Sequence, residues 1–181
     1  FQALMGRLGD LHGVVITADA LHTQRAHADC LDSKRAHYVL TVKRNRRALQ
    51  ERIASQTWAS RPVQHLCQQK QHGRTTTWQV TVQPAQEWID FPHAEQTMRL
   101  TRDRREHKTG ETSREQVFVI TSLPEEEATP AQLADYIRGL WGIDNRLHWV
   151  RDVTYREDHS QVRTSNAALR HTMRNPTIAV A

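Results

Sequence analysis

The stretch VVITADALHTQRAHADCLDSKRAHYVLTVK, residues 14–43, decides the fold. VVIT at 14–17 and YVLTVK at 38–43 are short, continuous and rich in β-branched residues, the pattern of strands buried on both faces. Between them, residues 23–35 turn helical, with Ala26, Cys30 and Leu31 expected inward. Past the second run, Asn45 is expected to cap another helix carrying Leu49, Ile53 and Ala54 on one face. Strand, helix, strand, helix is the rhythm of a parallel sheet covered by helices, so the expected class is α/β. Ligands of such sheets sit at the carboxyl ends of the strands. Asp19 stands at one of these ends.

Working outward, residues 1–12 read as the end of a helix terminated by Gly9 or Gly13. The chain opens inside an apolar pattern (Phe1, Leu4, Met5, Leu8), as if cut from something longer. On the other side, ASRPVQHLCQQKQHG at 59–73 reads as a connector or the lip of an insertion. Trp78, Val80 and Val82 then alternate with Thr77, Gln79 and Thr81, the two-residue period of a half-buried antiparallel strand, and Met98 and Leu100 alternate likewise. RDRREHKTGETSRE at 102–115 is a charge-dense hairpin tip around Thr109 and Gly110, with VFVITS at 117–122 as the returning strand. The expected organisation is a core beginning in 1–58, a β-rich insertion over 59–124, and residues 125–181 completing the core and adding C-terminal helices.

The segment from Thr129 to Val153 opens as a well-specified helix. Thr129 caps it, Pro130 suits the first helical position and Gln132 completes a capping box. Leu133, Ile137, Leu140, Trp141, Leu147 and His148 recur at helical spacing as a stripe against a core. Asp144 interrupts that stripe, where a carboxylate is costly unless paired. A salt bridge to an arginine, a kink near Gly142 that turns Asp144 outward, and a metal ligand all answer the anomaly. Downstream, a polar turn at 158–160 leads to a basic amphipathic helix with Ala168, Leu169, Thr172 and Met173 inward, ended by Pro176.

Composition bounds the function. With 181 residues, 38% hydrophobic and 25% charged, the chain can bury a core. Its net charge of +5 and pI of about 9.7 fit a polyanionic partner without specifying one. Two isolated cysteines, Cys30 and Cys67, make neither a disulfide framework nor a zinc motif, even with His65 and His72 beside the second. Eleven histidines include no HExxH. No apolar run approaches the ~20 residues of a membrane span, so the expectation is a cytoplasmic protein with no membrane partner.

Asp19 at a strand exit and an acidic residue far downstream on a helix can converge on divalent metals that activate water or a hydroxyl against a phosphodiester. Hard oxygen ligands favour magnesium or manganese over zinc. Beyond this chemistry, five segments carry a family resemblance in order along the chain. They are VVITADALHTQ at 14–24, HYVLTVKRN at 37–45, ITSLP at 120–124, IRGLWGIDNRLHWVRDVTYRED at 137–158 and VRTSNAALRHTMRNPTIA at 162–179. Jointly they resemble the H-repeat-associated (ISAs-type) insertion-sequence transposases of the bacterial DDE superfamily.

The resemblance implies a ribonuclease H-like core with a β-rich insertion and C-terminal helices, and metal-dependent DNA cleavage and strand transfer with Mg2+ (or Mn2+). It implies double-stranded DNA, as element ends and target, for a partner, and admits a homodimer in the DNA complex. Asp19 matches the second acidic residue of the triad and Asp144 the third, where the family carries glutamate; Trp141, Gly142, Ile143 and Asn145 stand unchanged around it. Asp19 and Asp144 are therefore the expected catalytic residues and metal ligands. Lys43 and Asn45, just past a strand end, and Arg138, His148 and Arg151, near Asp144 along the helix, are the expected DNA contacts, with Asp152 beside them.

The family's first aspartate has no match in residues 1–18, since Asp10 in LGDLHG reads as a turn residue. Where relatives read KGNQ this chain has Lys43, Arg44, Asn45 and Arg46; Leu140 replaces a usual histidine, and Pro176 interrupts the last helix. These departures lead to the expectation that the chain alone is inactive, a truncated or degraded copy. Two rivals stay open: a non-catalytic DNA-binding remnant, and a metal-dependent nuclease on the same fold.

Overall fold

The computed structural model describes residues 1–71 and 73–143. Its elements are α1 (Gln2–Arg7), β1 (Val15–Ala18), α2 (Arg25–Asp32), β2 (His37–Val42), α3 (Arg47–Ser55), β3 (His65–Gln71), β4 (Arg74–Pro84), β5 (Gln96–Glu106), β6 (Thr112–Thr121) and α4 (Pro130–Ile143). Short 3-10 turns occupy Ala20–His22, Arg44–Arg46 and Glu87–Ile89. Residues 1–137 form one compact unit, and a second unit begins at Arg138. No described helix is long and apolar enough to cross a membrane.

One six-stranded sheet, in the order β1-β2-β6-β5-β4-β3, organises the first unit. β1 and β2 pair in parallel, with Val15 opposite His37 and Ala18 opposite Leu40, and α2 makes the crossover between them. Every other neighbouring pair is antiparallel. The class is thus mixed α/β, as the β-branched runs at 14–17 and 38–43 imply. β6 pairs directly with β2, so the strands from residue 65 onward extend the sheet that β1 and β2 begin.

Burial explains why these segments adopt these forms. Tyr38, Leu40 and Val42 of β2 and Phe118 and Ile120 of β6 share one apolar cluster with Ala28 and Leu31 of α2, Leu49 and Ile53 of α3, and Trp58. Trp58 also donates its indole N–H to the carbonyl of Ile53 at 2.8 Å, so a large ring is buried with its one donor satisfied. By strand alternation, Val39, Val82, Met98 and Val119 point to the opposite face and are buried as well. Among the described side chains of α4, Leu133, Ala134 and Ile137 are buried.

Several local expectations shift. α2 buries Ala28 and Leu31, whereas Ala26 is exposed and Cys30 half-buried, so its inward face is rotated from the one expected. Ala54 of α3 is exposed. Helix α3 starts at Arg47 after a 3-10 turn and has no side-chain cap; Asn45 lies inside that turn and spends its amide elsewhere. Residues 65–71, expected as connector, form edge strand β3. Among the described residues only one of its edges is paired, and its side chains are mostly polar, which hides the two-residue period and also blunts the edge against further pairing. The hairpin tip is as expected: β5 ends at Glu106, β6 begins at Thr112, and Gly110 takes φ of +72°. So is the capping box of α4, where the Thr129 N–H donates to Gln132 Oε1 at 2.9 Å and the Gln132 N–H to Thr129 Oγ1 at 3.3 Å.

Candidate catalytic carboxylate

Asp19 follows the last residue of β1 and is the N-cap of the 3-10 turn Ala20–His22. Its Oδ1 accepts the backbone N–H of Leu21 at 3.1 Å, and its carbonyl accepts that of His22 at 3.0 Å. One carboxylate oxygen is held by the chain's own turn, and no hydrogen bond from the described residues engages Oδ2. The side chain is half-buried, positioned by backbone yet reachable.

Two long-range bonds anchor this turn to the end of β2. Thr23 is fully buried, and its hydroxyl donates to the carbonyl of Thr41 at 2.6 Å. Asn45 donates its side-chain amide to the carbonyl of Ala20 at 2.6 Å. Each bond contributes about 0.5–1 kcal/mol net, and together they fix the carboxylate's backbone at two points. From below, the His27 ring meets the carbonyl of His22 at 3.0 Å through Nδ1, and Phe1 stacks on His27 with ring centroids 4.2 Å apart.

The charges nearby are positive. Lys43, Arg44 and Arg46 are exposed on the turn that leaves β2, which lies against the turn after Asp19. Arg47 is engaged by Glu51 at 2.7 Å. A carboxylate rimmed by cations at the carboxyl ends of parallel strands can share in holding a divalent cation while the rim attracts phosphate. It cannot hold a cation alone: among the described residues no three histidine, cysteine, aspartate or glutamate side chains are grouped to ligate one.

Of the residues expected from the sequence, the fold brings Asp19, Lys43 and Asn45 to one end of the sheet. Arg138 is half-buried on α4, at the start of the second unit. Asp144, His148, Arg151 and Asp152 lie outside the described residues. Thr23, His22 and His27 were missed. Thr23 sits inside the motif that contains Asp19, but its partner is 18 residues away, and the partner of Asn45 is 25 away. A threonine buried among polar neighbours just after a strand-end aspartate is the only sequence signal that hints at such an anchor.

The transposase DDE domain family matches residues 1–179. "Putative transposase YncI" of Escherichia coli O157:H7 is 29% identical over 171 residues, covering 88% of this chain and 43% of that protein. "H repeat-associated putative transposase YhhI" of Escherichia coli K12 is 25% identical over 169 residues, 88% of this chain and 44% of that one. A protein of the region 3′ of dhlA in Xanthobacter autotrophicus is 34% identical over 123 residues, 64% of this chain and 41% of its own length. The chain therefore spans less than half the length of these relatives. With Asp19 set at a parallel strand end and the family match running along nearly all of its residues, the chain belongs to the DDE-domain transposases.

Proposed function

We propose that the chain is the catalytic-domain segment of an insertion-sequence transposase, built on a ribonuclease H-like core, that acts on double-stranded DNA. Asp19 and Asp144 are its metal-ligating carboxylates, and Lys43, Asn45, Arg138, His148 and Arg151 contact DNA. The observation that carries this reading is Asp19 itself: a turn-fixed carboxylate with one oxygen open, at the carboxyl end of a parallel strand, beside exposed Lys43, Arg44 and Arg46. DDE transposases use divalent metal ions. Bound Mg2+ or Mn2+ would supply the polarisation that readies a hydroxyl for in-line attack on a phosphodiester. The chain's own contribution is positional. The Leu21 N–H holds one oxygen of Asp19, Thr23 and Asn45 hold the turn, and the cationic rim draws the DNA backbone toward it.

Residues 1–181 offer no match to the family's first aspartate, so the chain by itself is expected to bind metal weakly and to join no DNA strands. Manganese binding to the 181-residue chain, followed by electron paramagnetic resonance in the presence of a linear duplex, tests the site. Asp19→Asn and Asp144→Asn should each weaken binding; equal binding by wild type and both variants sinks the assignment. Aspartate at 144, where the family has glutamate, favours the second reading of a DNA-binding remnant without chemistry. Placed in a protein of the relatives' full length, wild-type residues 1–181 that bind element-end duplex but never cut it would establish that second reading. Cutting without joining would establish a nuclease.

A further inference from the structure

Beyond the part of the sheet that carries the apolar cluster, β3–β6 continue as a polar ribbon. Their register puts Lys70, Thr75, Arg105 and Thr112 in one cross-strand row and Gln68, Thr77, Asp103 and Arg114 in the next. Alternation places both rows on the same face. They line a groove of about 870 Å³. Four of its lining residues are lysine or arginine and one is acidic.

That one acid is already engaged. Arg114 donates from Nε to Asp103 Oδ1 at 2.6 Å and from a terminal nitrogen to Oδ2 at 2.9 Å, a two-pronged clasp across β5 and β6. Lys70 and Arg105 are exposed and have no acidic partner among the described residues. At Arg104, burial lowers the pKa first, and Arg102 and Arg74 lower it further, outweighing Glu115 and Glu106. With Asp103 taken up by Arg114, the other lining cations, Lys70, Arg104 and Arg105, meet no free carboxylate among the described lining residues. Thr112 and Ser113 add hydroxyl donors between the cations, and among the described residues no Phe, Tyr or Trp lines the groove to stack an unpaired base.

We propose that this groove seats the phosphate backbone of duplex DNA without reading its sequence, with Lys70 and Arg105 as the principal contacts. The proposal rests on the reading of the chain as a transposase segment. It adds a second contact surface on the β3–β6 ribbon, formed by residues outside the turns that carry Asp19, Lys43 and Asn45. Lys70 and Arg105 stand two strands apart, on the order of 10 Å, so each can meet a different phosphate.

The test is fluorescence anisotropy of a random-sequence 30-base-pair duplex with the 181-residue chain across a series of salt concentrations. The double variant Lys70→Gln, Arg105→Gln should bind at least about tenfold more weakly at low salt, and its log–log salt slope should be shallower by about 1.8, or 0.9 for each phosphate contact removed. Asp103→Asn removes the one acid among the described lining residues and should tighten binding, a gain that a folding defect cannot mimic. A matched single strand should bind less well than the duplex. If wild type binds and the double variant keeps its affinity and slope, the groove is wrong while the transposase reading stands; tighter binding of the single strand also overturns the duplex assignment. If wild type binds no DNA at all, both the groove and the DNA reading beneath it fall.

Discussion

The corner built by β1, β2, α2 and α3 and the outer ribbon of β3–β6 belong to one sheet but are held together by different forces. In the corner, Leu31, Leu40, Ile53 and Ile120 are completely buried, and polar atoms are used sparingly, as anchors such as Thr23 to Thr41 and Tyr38 to Pro92. In the ribbon, β4 and β5 run 11 residues and β6 runs 10, so their outer ends pass beyond the apolar cluster. There, cross-strand ion pairs replace apolar contacts: Arg114 with Asp103, and Arg102 with Glu115. Burial fixes the corner to a geometry that can aim a carboxylate. Charge on the ribbon leaves a surface whose strength depends on pH and salt.

The contrast would break first in the corner. Leu40→Ala removes a fully buried side chain from the middle of β2 and should cost about 2–5 kcal/mol in urea unfolding. A cost near zero would mean that the corner is not the stabilising half. Tyr38→Phe should cost about 1 kcal/mol at neutral pH, because the hydroxyl donates to the carbonyl of Pro92 at 2.6 Å.

The same residue carries an alkaline signature. Burial first, then Glu95, Asp29 and Asp32, raise the Tyr38 pKa well above the ordinary phenol value of about 10. The folded state thus keeps a proton that the unfolded state sheds, so this contribution is whole below about pH 10 and is lost as pH rises beyond it. Wild type should lose stability above that pH more steeply than Tyr38→Phe; parallel curves would refute the assignment.

A smaller effect, about 0.5 kcal/mol, is expected of Asn45→Ala at an exposed position, which frees the turn after Asp19 from the turn after β2. Amide hydrogen exchange at Leu21 and His22 should speed up in that variant, while exchange in β5 stays unchanged. Smallest of all is the ribbon's response to acid. The Arg114 guanidinium bonded to Asp103 holds its carboxyl below the usual carboxylate range, with burial opposing. Stability from this pair is therefore present above the ordinary carboxylate pKa of about 4 and fades as pH falls below it. Wild type and Asp103→Asn should differ little at pH 7, as exposed pairs do, and converge further in acid or high salt. A large difference at pH 7 would show that the ribbon is held more like the corner than its exposure suggests.

Some of this was legible residue by residue. The runs at 14–17 and 38–43 announce strands because continuous β-branched side chains favour them, and they place Asp19 at a strand exit. β2 is buried from Tyr38 to Val42 as expected, whereas β1 lies at the sheet edge, with Val14 exposed and Val15, Ile16 and Thr17 only half-buried. Thr129, Pro130 and Gln132 announce α4 because capping is local chemistry. Other features were hidden. β3 hides because an edge strand needs only a partner's backbone, and its glutamines show no apolar period. The rotation of α2 from Ala26 to Ala28 depends on where β2 lies beneath it, which a helical stripe of small residues does not specify.

By itself, then, the sequence determined the α/β class, the strand-end aspartate and, through motif order, the transposase family, because these rest on contiguous patterns of a few residues. Tertiary structure alone decided that Thr23 and Asn45 pin the turn of Asp19, that β6 joins β2 in one sheet, and that Lys70 and Arg105 share a groove with one already engaged acid. Those facts join residues 18 to 82 positions apart. Contacts at such distance are set by how the sheet closes its ladder, which no local stretch of the chain encodes.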